Sequence, residues 1–370
     1  MTPRRILLMA YQLGIGGSER QLTEVAKWLD RSRFEPHVGC LHPDGIRGEE
    51  LRALGVPIVS FDVPSFASLH AATEGLRLSR LLRRQNFDLV HTFDVPMNVF
   101  GVPFAKFAGS PVVLSSQRAH RDLTSTLYRH ALRLTDHLAD GIVVNCEYMR
   151  RHLTQDEGVA ADKIHLCYNG VDTSIFHPPE AGARGDGPLT IGVVCSLRPE
   201  KGLTTLLHAF AQLHGVCPEA RLLLVGSGPQ EAALQQLAQS LGIAAHTRFI
   251  PTQSNVADWL RQMDVFVLPS LSEALSNALM EAMACGCACV ASNVGGNPEL
   301  MGAGRGLLFE AGDSQQLFEH LQSLAGDAAL RGGLQQHALP FVNVNFTRQA
   351  SVARMSAIYQ QFLPPRRPRT

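Results

Sequence analysis

Short apolar runs, each followed by a longer stretch of helical period, recur along this chain from residue 5 to residue 291. That alternation is what parallel sheets require, because each strand must return through a helical crossover and is covered on both faces. The first run is 5–9 (RILLM), and the first helix is predicted over 18–29 (SERQLTEVAKWL) with Ser18 as its N-cap. Runs at 37–41, 58–61, 89–92, 112–115, 142–145 and 164–168 continue the series, and Asn169-Gly170 then signals a turn. A segment rich in Pro and Gly without periodicity, 177–189 (HPPEAGARGDGPL), reads as a linker. A second series follows at 189–195, 220–225, 247–250, 265–268 and 288–291. The pattern predicts two doubly wound, Rossmann-like α/β domains facing each other across a cleft. Their spans are 1–176 and 190–345, with a last helix over 346–362 packing back on the first and a frayed tail beyond it. Ligands of such sheets sit beyond the carboxyl ends of the strands.

Composition narrows the class. At 370 residues with 45% hydrophobic and 18% charged residues, the chain can bury two cores. Lys and Arg number 33 and Asp and Glu 33, a balance unlike that of a dedicated nucleic-acid binder. Eight cysteines without small-domain spacing read as buried thiols of a cytoplasmic protein. No run approaches the roughly 20 apolar residues of a membrane helix, and the start carries too short an apolar run for a signal peptide. The chain is expected to be soluble or at most peripheral.

Three segments carry candidate chemistry. The loop Gly14-Ile15-Gly16-Gly17-Ser18-Glu19 follows a strand and opens a helix, so its amides can approach an anion. A tight strand-to-helix turn explains it equally well, and Glu19 stands where a dinucleotide fingerprint needs its third glycine. The loop Ser196-Leu197-Arg198-Pro199-Glu200-Lys201-Gly202 places two cations three apart at a strand end, and the chain has only three other lysines. They can bind a diphosphate or form a solvated basic loop. The third segment is 272–286 (SEALSNALMEAMACG), with Glu273 in a loop and Glu281 in a helix starting near Ser276. Eight helical steps span about 12 Å, beyond the about 5–9.5 Å of a carboxylate pair acting on one bond. The two acids therefore hold different ends of a long ligand, with the amides of Leu275, Ser276 and Asn277 facing an anion between them.

Arg198-x-x-Lys201, Glu273-x7-Glu281, Asn169-Gly170-Val171-Asp172, Leu224-Val225-Gly226-Ser227-Gly228-Pro229 and Val294-Gly295-Gly296-Asn297-Pro298-Glu299 occur together in this chain. In this combination it resembles the retaining family-4 glycosyltransferases of the GT-B fold (glycosyl transferases group 1). The resemblance implies transfer of a sugar from a nucleoside diphosphate sugar, UDP- or GDP-linked, to a hydroxyl acceptor, without a metal or resident cofactor. It implies that Arg198 and Lys201 bind the donor diphosphate, Glu281 the ribose and Glu273 the sugar hydroxyls. The amides of Leu275, Ser276 and Asn277 would meet the distal phosphate and sugar, and backbone around Ile250 the base. Gly16 and Gly17 would close over the phosphate. Relatives carry a His or Arg after the strand at 112–115, where this chain reads Ser116-Gln117-Arg118-Ala119-His120-Arg121. Gln117, Arg118 and His120 are all candidates there, with His120 orienting groups in the site. Ala274 and Ser276 replace the usual Gly and Pro, and the added methyl at 274 narrows the donor pocket.

Other features have plainer readings. Cys285, Cys287 and Cys289 run from a helix end into a strand and read as packing rather than metal ligands. His91 at a strand end faces the cleft or is a satisfied structural histidine. Arg77, Arg80, Arg83 and Arg84, with the Arg-rich stretch 118–133, form a solvated face or a membrane contact. The resemblance leaves two rival functions: a nucleotide-sugar epimerase of the same fold, which turns over without acceptor, and a non-enzymatic nucleotide-sugar-binding protein. Analogy places the chain in assembly of cell-surface polysaccharide, lipopolysaccharide or glycolipid.

Overall fold

The computed structural model describes residues 2–121, 124–180 and 187–363. The chain divides into two compact units, Met1–Gly170 with Gln349–Thr370, and Val171–Arg348. The first holds seven strands: β1 (Arg4–Gln12), β2 (Phe34–His42), β3 (Ile58–Ser60), β4 (Leu89–Thr92), β5 (Val112–Gln117), β6 (Gly141–Val144) and β7 (Ile164–Leu166). The second holds six: β8 (Thr190–Val194), β9 (Arg221–Val225), β10 (Thr247–Ile250), β11 (Val265–Leu268), β12 (Ala288–Ser292) and β13 (Leu307–Phe309). The orders are β3-β2-β1-β4-β5-β6-β7 and β10-β9-β8-β11-β12-β13, with every named pair parallel. Each order reverses direction once, between β1 and β4 and between β8 and β11. Those are the two switch points where crossovers part to opposite faces and leave room for a ligand.

Both faces of each sheet are covered, which is why the strands are apolar without alternation. In β1, Ile6 and Leu8 pack with Leu22 and Val25 of the helix Gly17–Trp28, while Leu7 and Met9 pack with Leu78, Leu82 and Phe100 on the opposite face. The second unit has a core of its own, from Ile191 and Val193 to Leu321 and Leu324. The last helix, Arg348–Phe362, contributes Val352, Met355, Ile358 and Tyr359 to the first core.

Several boundaries differ from expectation. Ser18 does not cap the first helix; Gly16 is the N-cap and Ser18 lies inside the first turn. The Glu19 carboxylate folds over Gly16, within 3 Å of where a Cβ would stand, so the helix starts where the absent side chain makes room. The division between units falls at Gly170, before 176, because Val171 pairs with the far end of the second unit. Its N–H donates to the Phe346 carbonyl (2.8 Å), its carbonyl accepts from Arg348 N–H (2.8 Å), and Asp172 is ion-paired with Arg348. Strand β13 has no counterpart in the sequence reading, since three residues are too few to show a period. Residues 181–186 of the expected linker and 364–370 of the expected tail lie outside the described residues.

His91, in β4, is fully buried: Nδ1 lies 2.8 Å from the Tyr359 hydroxyl and Nε2 lies 2.9 Å from Ser116 Oγ. It is a satisfied core histidine, linking the last helix to the first sheet. Burial, reinforced by nearby Arg118, holds its pKa well below the ordinary value. Unfolding therefore lets the ring take up a proton below about pH 6.5, so its contribution to stability is whole above that pH and is lost on acidification. Asp94 works the other way: burial pushes its carboxyl up to about 7 despite N–H bonds from Tyr11 and Met97, favouring the folded state at low pH. The clean observable is thus a difference. The stability gap between wild type and His91→Gln should narrow by up to about 1.4 kcal/mol per pH unit below about pH 6.5, read from urea titrations at several pH values. A gap that stays constant from pH 7.5 to 5.5 would show that His91 titrates normally.

Candidate active site

The loops after β8 and β11 meet at the switch point of the second sheet, and glycines permit the contact. Gly202 adopts φ 61°, and a Cβ there would stand 2.1 Å from the Pro269 carbonyl oxygen. The Leu271 N–H donates to the Glu200 carbonyl (2.8 Å), tying the two loops together. A third loop, after β12, braces the second: Gly296 N–H donates to the Ala274 carbonyl (2.6 Å). Gly295, at φ 56°, leaves no room for a Cβ, which would fall 1.8 Å from the Glu273 carbonyl oxygen.

This frame brings Lys201 and Glu273 together. Lys201 Nζ lies 2.6 Å from Glu273 Oε1, and Ser270 Oγ donates to the same oxygen at 2.8 Å. Burial pulls the Lys201 ammonium down, but the Glu273 carboxylate outweighs it and the pKa is raised. Arg198 sits on the same loop with its side chain 63% exposed, 4.0 Å from Glu200, free to turn toward a ligand. Ser276 is the N-cap of the helix Asn277–Ala284, its hydroxyl accepting from Leu279 N–H (3.2 Å). Ser276 therefore caps the helix whose head carries the amides of Leu275, Ser276 and Asn277. Glu281 lies within that helix and is buried. Ile250 ends β10, and its carbonyl accepts from Gly226 N–H (2.8 Å). Two basic side chains, a helix N-terminus and two separated acids thus surround one end of the second sheet, an arrangement that can hold a diphosphate between polar end groups.

The remaining candidates belong to the first unit. Gly16 and Gly17 open its first helix, with Glu19 over Gly16 and accepting from Gln12 Nε2 (3.0 Å). Gln117 ends β5, almost wholly buried, and neither atom of its amide has a hydrogen-bond partner. Arg118 donates to Asn169 Oδ1 (2.6 Å) and lies over the Phe93 ring, 5.2 Å from its centroid. His120 packs its ring on His152 (4.0 Å between centroids) and near Tyr148 (5.8 Å). Sequence reasoning took Asn169 for a turn residue and missed its contact with Arg118. It also missed Asp94, although Asp before Val-Pro is a recognisable N-cap signal. Cys285, Cys287 and Cys289 are buried, and among the described residues no group of three or more His, Cys, Asp or Glu could hold a metal ion. No helix among them is long and apolar enough to cross a membrane.

Known proteins share this framework. The family model described as Glycosyltransferase Family 4 matches residues 15–175, and that described as Glycosyl transferases group 1 matches residues 179–338. A GDP-mannose-dependent alpha-(1-6)-phosphatidylinositol monomannoside mannosyltransferase of Mycolicibacterium smegmatis is 34% identical over 64% of this chain and 66% of its own length. The N-acetyl-alpha-D-glucosaminyl L-malate synthase of Bacillus anthracis is 25% identical over 78% of each chain. Among solved structures, Anabaena HepE in complex with UDP and glucose superimposes with a TM-score of 0.84, at 22% identity over 96% of this chain and 98% of that one. Two Rossmann-like parallel sheets in series, each matched by its own family model, make the chain a member of the group 1 and family 4 glycosyltransferases, with the GT-B fold.

Proposed function

We propose that this glycosyltransferase moves a sugar from a nucleoside diphosphate sugar, UDP- or GDP-linked, to a hydroxyl acceptor with retention of anomeric configuration. The observation that carries the reading is the Lys201–Glu273 pair beside Arg198 at the head of the helix Asn277–Ala284. On this reading the donor's diphosphate takes Lys201 from Glu273 and draws in Arg198, and the two cations stabilise the charge that develops as the phosphate departs. Glu273, released, meets hydroxyls of the sugar, and Glu281 holds the ribose. The leaving phosphate itself receives the acceptor's proton, so no protein base is needed, and the cations supply the charge a divalent metal otherwise would. The family resemblance further gives Gly16 and Gly17 a role at the phosphate and His120 that of an orienting group. The relatives support such donors: HepE is bound to UDP and glucose in one structure, and the mycobacterial relative is GDP-mannose-dependent. The test is incubation with a panel of donors and candidate glycan or glycolipid acceptors, with the product's anomeric configuration read by NMR. Donor conversion without acceptor would favour an epimerase, and binding without any turnover a regulatory protein.

The acceptor's setting is assigned to a lipid-linked glycan at the inner membrane face, in surface polysaccharide or glycolipid assembly. Charge supports this. The first unit carries 24 Lys and Arg against 18 Asp and Glu, the second 9 against 15, so a neutral chain is divided into halves of opposite sign. The helix Leu69–Gln85 exposes Leu69 and Leu76 beside Arg77, Arg80, Arg83 and Arg84. The helix Thr126–Leu138 exposes Leu127 (78%) and Leu134 beside Arg133. Basic side chains among exposed leucines suit an anionic lipid surface. Vesicles containing about a third phosphatidylglycerol should sediment the protein at low salt and release it at about 0.5 M salt, where the Debye length has shrunk to under 5 Å. Arg80→Ser with Arg84→Ser should weaken binding several-fold; equal binding to neutral vesicles would contradict the charge argument.

A further inference from the structure

We propose that Ser270 is a positioning residue that keeps the Glu273 carboxylate aimed once the donor has taken Lys201, and that Ser292 and Asn297 hold Ser270 in place. The inference rests on the donor-site reading above. In this structure Glu273 Oε1 is held by two donors, Lys201 Nζ at 2.6 Å and Ser270 Oγ at 2.8 Å. The two differ in what a donor molecule does to them. A diphosphate draws the lysine ammonium away, whereas the fully buried Ser270 has no path to the ligand and stays. After the exchange its hydroxyl remains as the fixed partner of Oε1, leaving Oε2 to accept from a sugar hydroxyl.

The serine is itself tied down from behind. Its carbonyl accepts from Ser292 Oγ (2.5 Å), and the Ser292 carbonyl accepts from Asn297 Nδ2 (3.0 Å). Ser292 and Asn297 are both fully buried. The three residues come from three places: the loop just after β11, the end of β12 and the first position of the helix Asn297–Met301. Asn297 keeps its place although its Oδ1 has no hydrogen-bond partner, a cost a purely apolar residue would avoid. The same β12 loop supplies Gly295 and Gly296, which press on the backbone of Glu273 and Ala274. Side chain and backbone of Glu273 are thus both braced from one direction, and a small misplacement of such a group is enough to weaken its ligand contacts.

A role in aiming Glu273 predicts a selective defect. Calorimetry with UDP-glucose and GDP-mannose, and with UDP and GDP alone, separates contacts to the sugar from contacts to the nucleotide. In Ser270→Ala, affinity for the nucleotide sugar that wild type binds should fall about tenfold, with the matching nucleoside diphosphate unchanged within about twofold. Ser270→Thr, which keeps the hydroxyl, should restore most of it. Ser292→Ala, one bond further back, should show the same selectivity at smaller amplitude and serves if Ser270→Ala does not fold. Parallel loss for sugar nucleotide and nucleotide, or no loss for either, would overturn the positioning role. Wild type that binds the nucleoside diphosphates but not the nucleotide sugars would overturn it too, while wild type that binds neither would overturn the donor reading on which it stands.

Discussion

Lys201→Ala should lower kcat/KM for the donor by about 10²–10³-fold, the usual loss when one group stabilising transition-state charge is removed. The same substitution should cost stability, because the partly buried Glu273 carboxylate, its side chain 11% exposed, would keep only the Ser270 hydroxyl on the oxygen that Lys201 now holds. Arg198→Ala is the informative companion. Its side chain is mostly exposed and makes only a long contact with Glu200, so the fold should not register its loss. Activity should nonetheless fall by a comparable factor, since both cations are assigned to the diphosphate. Steady-state kinetics with a melting curve on each variant read the two effects apart. Full activity in Arg198→Ala would remove that residue from the donor site.

Arg121→Met should be the most destabilising change in the first unit, by about 3–5 kcal/mol. Arg121 is the largest fully buried side chain described, with Nη2 2.6 Å from Asp136 Oδ2 and Nη1 3.3 Å from Glu157 Oε2. Burial raises the Asp136 carboxyl above its usual range even with the guanidinium beside it, so removing Arg121 leaves a carboxylate with little to offset its desolvation. Glu157 would suffer less, as Arg133 also pairs with it at 2.8 Å. Arg121 directly follows His120 and anchors the segment after β5, so activity should fall with the fold. Adding Asp136→Leu should recover a large part of the loss, since an apolar pair can replace a buried ionic one. Urea titration checks both variants; a loss under about 1 kcal/mol for Arg121→Met would show that the pair contributes little.

The architecture was legible because burial on both faces writes parallel strands as continuous apolar runs. β4, β10 and β11 fall on the expected residues, and most others within one to three residues at either end. What failed was short or cooperative: β13 has three residues, and the Gly16 cap depends on a carboxylate folding back from Glu19. The candidate site loops were legible through the charges of Arg198, Lys201, Glu273 and Glu281, a pattern whose spacing survives without structure. That Lys201 and Glu273 bind each other before any ligand arrives was not, since a sequence shows two charges and not their distance. The chain from Asn297 through Ser292 to Ser270 was invisible for the same reason: unremarkable polar residues acquire a role only when the β11 and β12 ends are side by side. Gln117, Arg118 and His120 were open candidates, and the structure gives each a different environment: an unpartnered buried amide, a bond to Asn169 and a stack on His152.

The most direct test of a nucleoside diphosphate sugar site at Lys201 is calorimetric titration, without added metal, of wild type and Lys201→Ala with UDP-, GDP- and ADP-sugars. Tight binding of one donor by wild type, lost or weakened at least tenfold in the variant, is the predicted result. Wild type that binds none of them, or a variant that binds as tightly as wild type, would contradict it.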